Sequence, residues 1–165
     1  MLHITSGESV GNTLRQVAPA DEILAWNDVL HEGPVAAGLP LEELSRVRAA
    51  QCGWDSFEDA SRSLTRRDTT LAGFRDHHEV LLWFEHDLFD QLQLIQLLDW
   101  FAQQDPGATR LTLICIGEFP GVERFHGLGQ LDAEQLASLL PSRQPVTAAE
   151  LDLARRSWTA FRSPD

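Results

Sequence analysis

Val80-Leu81-Leu82-Trp83-Phe84-Glu85-His86-Asp87-Leu88-Phe89-Asp90-Gln91 is the stretch whose reading decides the fold. Its first five residues carry no charged or hydrogen-bond-hungry aliphatic group. A strand built from them is apolar on both faces, as in a strand covered on both sides of a sheet. Glu85, His86 and Asp87 then fall at its carboxyl end. A helical pattern starts at once and runs from Leu88 to Gln103, carrying Leu92, Ile95, Leu98 and Trp100. In open α/β sheets the carboxyl edge is where ligands bind. A purely structural account makes Asp87 the helix N-cap and puts Asp90 in the first turn, where the helix dipole favours acids. That account leaves Glu85 and His86 without a role.

Working outward, the same alternation recurs. Leu2 to Thr5 reads as a short apolar strand, Ser6-Gly7-Glu8-Ser9 as a turn, and Val10 to Gln16 as a helix start. Glu22 to Trp26 predicts a second strand, followed by the loop Asn27 to Pro34. Leu41 to Gln51 reads as a helix, with Leu41, Leu44, Val47 and Arg48 near helical spacing. From Ser56 to Asp76 the chain is polar, and Phe57, Leu64, Leu71 and Phe74 fit one amphipathic helix or two. Asp105-Pro106-Gly107 marks a turn, Leu111 to Ile116 a further buried strand, and Gly117 to Gly121 its exit. Helices follow at 132–140 and 147–162, the latter opened by Thr147 with Glu150 three residues on, a capping box. Strands alternating with helices predict an α/β, Rossmann-like three-layer domain. Its expected sheet is mainly parallel, with about four or five strands, and one domain spans 1–165. There is no internal repeat and no low-complexity segment.

Composition narrows the classes. The 165 residues suffice for one buried core, and 43% hydrophobic with 23% charged residues is ordinary for a globular domain. No apolar run approaches the roughly 20 residues that span a bilayer. The start, Met1 to Thr5, has neither the basic n-region nor the h-region of a signal peptide, so the cytoplasm is the expected compartment and no membrane partner is expected. A formal charge of −12 argues against broad contact with nucleic-acid backbone. All 13 basic residues are Arg; without Lys there is neither a Schiff-base lysine nor a P-loop lysine. Cys52 and Cys115 read as buried thiols rather than a disulfide, and neither has zinc-ligand spacing to another Cys or His.

Every strand pattern ends in polar groups, and in a parallel sheet those ends share one edge. Ser6, Gly7, Glu8 and Ser9 follow the first strand, where free N–H groups at a helix start favour an anion. The alternative there is an ordinary Ser9 N-cap beside a tight turn at Gly7. Trp26, Asp28 and His31 follow the second strand, with Trp26 offering a ring for stacking and Asp28 with His31 forming either a carboxylate-oriented imidazole or loop hydrogen bonds. Glu85, Asp87, Asp90 and Gln91 follow the third, and Glu118 the fourth. Glu85 and Asp87 point together if the chain is still extended. They then share a proton, bind a hard divalent cation such as Mg²⁺, or pair with Arg15 or Arg124. His3 reads as a satisfied core histidine, His77 and His78 as a solvated turn, and His126 in its Gly-rich loop stays open.

Four blocks, Leu2 to Ser9, Trp26 to Pro34, Trp83 to Gln91 and Ile116 to Gly121, resemble the bacterial DUF1835 family over essentially the whole chain. Ser6 and Glu8 stand where that family's first block usually reads Asn and Asp. The resemblance implies little about activity. It does imply that relatives continue into a further helical region after a segment like Arg162 to Asp165, so this chain is expected to lack one.

The functional expectation is a small-molecule ligand, phosphorylated or nucleotide-like, at the carboxyl edge. A metal-assisted phosphoester hydrolase or transferase would use Glu85, Asp87 and Asp28 as metal ligands or base and His31 or His86 as proton carriers. One rival is a serine esterase akin to the GDSL hydrolases, with Ser9 as nucleophile and Glu123-x-x-His126 as the remaining pair. The other is a non-catalytic regulatory or interaction module. Composition and pattern leave the oligomeric state open.

Overall fold

The computed structural model describes residues 1–51 and 56–163, so the Cys52 expectation lies outside the described residues. Among these, five strands and six α-helices follow in the order β1 (Leu2–Ser6), α1 (Gly7–Val17), β2 (Glu22–Trp26), α2 (Leu41–Gln51), α3 (Phe57–Ala72), β3 (Glu79–Glu85), α4 (Leu88–Ala102), β4 (Arg110–Ile116), α5 (Ala133–Leu139), β5 (Gln144–Pro145) and α6 (Ala148–Phe161). The strands form one sheet in the order β2-β1-β3-β4-β5.

β1 pairs in parallel with both β2 and β3, and β3 pairs in parallel with β4. β5 pairs antiparallel with β4, so the sheet is mixed and the expectation of a mainly parallel one is corrected. The reason is local. Gln144 and Pro145 make a two-residue strand, too short to show any period in the sequence. Proline lacks the N–H that a central strand needs and so sits at a sheet edge.

β3 is the centre of the molecule, and Val80 to Phe84 have no exposed surface at all. Alternation divides its side chains between two cores. Leu2, Ile4, Val80, Leu82 and Phe84 face Leu94, Leu97 and Leu98 of α4, with Leu71 of α3 and Ala154 of α6. On the opposite face Leu81, Trp83 and Ile114 meet Val10 and Leu14 of α1 and Leu136 of α5. The helices therefore cover both faces of the sheet, which is why β3 reads as a continuous apolar run. His3 is the core histidine expected: its Nδ1 accepts the Trp83 indole N–H at 3.0 Å. That bond leaves the proton on Nε2, which reaches Asp21 Oδ2 at 3.2 Å, and burial lowers the ring's pKa.

The expected capping box at Thr147 forms, and α5 carries a second one. Thr147 accepts from the Glu150 N–H and Glu150 accepts from the Thr147 N–H, and Asp132 and Gln135 do the same for α5. The segment 56–76 is one helix followed by a 3₁₀ turn, with Leu64, Leu71 and Phe74 buried but Phe57 exposed. At the first turn the expectation needs correction. α1 starts directly at Gly7, so no four-residue loop separates it from β1. Gly7 absorbs the change of direction at φ +72°, a left-handed conformation that favours glycine.

Candidate functional site

The parallel registers put Ser6 opposite Trp26, and Glu85 opposite Ile116. The carboxyl ends of β1 to β4 thus share one edge, as the site hypothesis requires. From that edge α1 leaves β1 toward one face of the sheet, and α4 leaves the adjacent β3 toward the other. The ends of β1 and β3 therefore fork, the position at which open α/β sheets hold ligands.

Glu85 stands at this fork, partly buried, and its surroundings hold it from three sides. Its N–H donates to Asp90 Oδ2 at 2.8 Å, and its carbonyl accepts from Gln91 Nε2 at 2.6 Å. Its carboxylate accepts the backbone N–H of Leu128. A Cβ at Gly127 would overlap that carboxylate, and Gly127 also sits at φ +148°, so glycine is required twice over. Burial pushes the Glu85 carboxyl up to about 7, against the Leu128 N–H, with the negative charges of Asp90 and Asp87 adding to the rise. Asp90 is buried and likewise raised by burial, although the Ser6 hydroxyl hydrogen-bonds its carboxylate.

Asp87 is the N-cap of α4 and accepts the Asp90 N–H at 2.9 Å, so the structural account holds for it. Cys115 is a partly buried free thiol against Gln91 Nε2 at 3.4 Å, and burial raises its pKa. His86 is exposed, and its ring lies so close to Gly117 that a Cβ there would overlap it. Ser9 is exposed beside Gly129, where a Cβ would come within 3.1 Å of Ser9 Oγ. The loop Gly127 to Gly129 thus touches both Ser9 of α1 and Glu85 of β3 and ties the two sides of the fork.

Ser6, Ser9, Glu85, Asp90 and Gln91 are therefore brought together, with Asp87 and His86 at the margin. Asp28 leaves the same edge but is committed elsewhere. It is buried, and Arg48, wholly buried on α2, donates from Nε to its Oδ1 at 2.7 Å. The Arg48 guanidinium also donates to the carbonyls of Glu32, Val29 and Pro34 at 2.9, 2.8 and 3.2 Å, which fixes the loop after β2. A role for Asp28 as base or metal ligand is replaced by this ion pair. Trp26 is corrected too: it has no exposed surface, donates its indole N–H to Gln96 Oε1 at 2.9 Å, and lies under the Arg67 guanidinium at 3.9 Å. No ring is offered for stacking.

His31 is exposed and sets its edge against Phe89 of α4, with ring centroids 4.3 Å apart. Glu8 is exposed and paired with Arg15 at 3.0 Å. Glu118 is exposed in the wall of a separate cavity of about 600 Å³ formed by the loop Gly117 to His126. Among the described residues no group of three or more His, Cys, Asp or Glu side chains is arranged to hold a metal ion, and no hydrogen bond joins Ser9 to His126. The carboxylates proposed for metal, Glu85 and Asp87, are engaged with backbone N–H groups instead.

Sequence reasoning missed Gly127, Leu128 and Arg48. The Gly-x-Gly pattern was visible, but nothing in it says that it lies over β3. Arg48 carried a clearer signal, a charged residue in phase with Leu41 and Leu44 on the inner face of a helix. Comparisons of the chain with protein-family models, with curated proteins and with solved structures return no match. No helix among the described residues is long and apolar enough to cross a membrane.

Proposed function

We propose that this chain is a Rossmann-like, DUF1835-like domain that binds a small phosphorylated or nucleotide-like molecule where β1 and β3 fork. Glu85 serves there as the group that exchanges protons. The observation that carries the reading is the place of the Glu85 carboxyl, partly buried at the fork beside Asp87 and Asp90 and under the Gly127–Leu128 loop, where burial pushes its pKa up to about 7. An acid poised near the working pH is suited to general acid–base catalysis. In its neutral form it also spares an anionic ligand the repulsion of one more carboxylate.

Two further features support the reading. Gly7 starts α1 without an intervening loop, so unpaired N–H groups of the first helical turn face the carboxyl edge. Ser6 and Ser9 add hydroxyls on the same turn. If the ligand is turned over, hydrolysis or transfer at a phosphoester fits these groups, with Glu85 passing a proton to or from the reacting oxygen. Asp90 and Gln91 act as positioning residues, since both hold the Glu85 backbone.

A panel of nucleoside phosphates and sugar phosphates tests this by thermal denaturation at pH 6 and pH 8. Ligand that binds only the folded state raises the melting temperature by mass action. At least one phosphorylated compound is expected to do so saturably in the wild type, with affinity lost in Gly7→Val. A flat response across the panel at both pH values would remove the reading.

A further inference from the structure

β2 is an edge strand, bonded to β1 on one side only. Its Glu22 N–H donates inward to the Met1 carbonyl, so strand alternation turns the N–H groups of Ile23 and Ala25 outward. Those outward groups face a cavity of about 300 Å³, walled by α1 on one side and α3 on the other. That volume lies at the lower end of small-ligand pockets, roughly 300–1,000 Å³.

The α3 wall is Ser63, Arg66, Arg67 and Thr70, spaced i, i+3, i+4 and i+7 so that all four share one helical face. Asn27 closes the end of the slot. Among the described residues the side chains of Asn27, Ser63, Arg66 and Thr70 make no hydrogen bond or ion pair. Arg67 is about 95% buried, and its Nη1 has no hydrogen-bond partner, standing 3.7 Å from Asp28 Oδ2. The acids lining the slot are already committed: Glu8 pairs with Arg15 at 3.0 Å and Glu22 with His77 at 3.1 Å. The groups left over are the Arg66 guanidinium as the unpaired charge, the amide and hydroxyls of Asn27, Ser63 and Thr70, and the outward N–H groups of Ile23 and Ala25, whose carbonyls share that edge.

We infer that this slot on the open edge of β2 is a binding site for a compact oxyanion, a phosphate or a carboxylate, seated between Arg66 and the outward N–H groups of β2. Guanidinium donors in a planar fork match two oxygens of either group. The slot is separate from the fork at Glu85, shares none of its acidic residues, and stands whether or not the reading of that fork holds.

The test titrates inorganic phosphate and succinate against chloride at equal ionic strength, following thermal stability and heat of binding. The variants are Arg66→Ala and Arg62→Ala. Arg66 and Arg62 are both exposed on α3, so neither substitution threatens the core, and Arg62, paired with Asp59, lies outside the slot. The expected result is saturable binding of phosphate, succinate or both in the wild type, weakened about tenfold or more by Arg66→Ala, as for loss of one charge-assisted bond. Arg62→Ala is expected to bind as the wild type does. Which of the two anions responds identifies phosphoryl or carboxylate chemistry. The inference is overturned by the absence of saturable binding, by unchanged binding in Arg66→Ala, or by an equal loss in Arg62→Ala, which would make the effect one of general charge.

Discussion

Glu85 owes its behaviour to where β3 stops. Its backbone ends a strand whose preceding five residues are wholly buried, so its carboxyl emerges into a half-buried position beside two other acids. The sign of the consequence is definite. The folded-state pKa, about 7, lies above the ordinary carboxyl value of 4.5, so between those values the folded chain binds more protons than the unfolded one. Stability from this group is complete in acid and is lost as pH rises through 7. Glu85→Gln removes the titration. Its melting temperature, compared with wild type, should therefore be higher at pH 8 than the same comparison gives at pH 5. The change between the two is about 1–2 kcal/mol after allowance for partial solvent screening. A difference between variant and wild type that stays constant across pH would show that Glu85 titrates normally. The neighbouring Asp90, also raised by burial, acts in the same direction.

At the scale of elements, the loop after β2 is held by a side chain from α2. Arg48 has no exposed surface, and its donors reach Asp28 and three carbonyls of that loop. Arg48→Met removes those donors and leaves the Asp28 carboxylate buried with only the more distant Arg67 near it. Breaking one side of a buried ion pair costs about 3–5 kcal/mol, and this is the loss expected in urea denaturation. The double variant Asp28→Asn, Arg48→Met should recover part of it, because no buried charge is then left unpaired. A loss below about 1 kcal/mol for the single variant would show that the loop is held by other contacts, such as Gln93 Nε2 on the Asp28 carbonyl. The elements themselves were largely legible. The all-apolar run at 80–84 and the capping box at Thr147 report short-range physics, since strand burial and cap geometry are written in neighbouring residues. The destination of Asp28 was not legible, because its partner lies twenty positions away.

For the whole molecule, the helices of one face must close over the sheet and over the loop after β2 together. α6 packs on α4, and its Trp158 is buried in a cluster with Leu30, Leu44 and Leu92, which come from that loop, α2 and α4. Trp158→Ala should lower the urea midpoint by the equivalent of about 3–5 kcal/mol with an unchanged denaturant slope. An early, separate transition instead would make α6 an independently unfolding unit. Sequence by itself determined the α/β alternation, the buried strand at 80–84, the core role of His3 and the acidic edge at Glu85 to Asp90. Each of these follows from periodicity, capping or the chemistry of adjacent residues. Only the tertiary structure decided that β5 pairs antiparallel, that Trp26 and Asp28 are consumed in the interior, and that Gly127 and Leu128 close over Glu85. Those outcomes depend on which distant segments meet, and that is set by the packing of whole helices against the two faces of the sheet rather than by any local pattern.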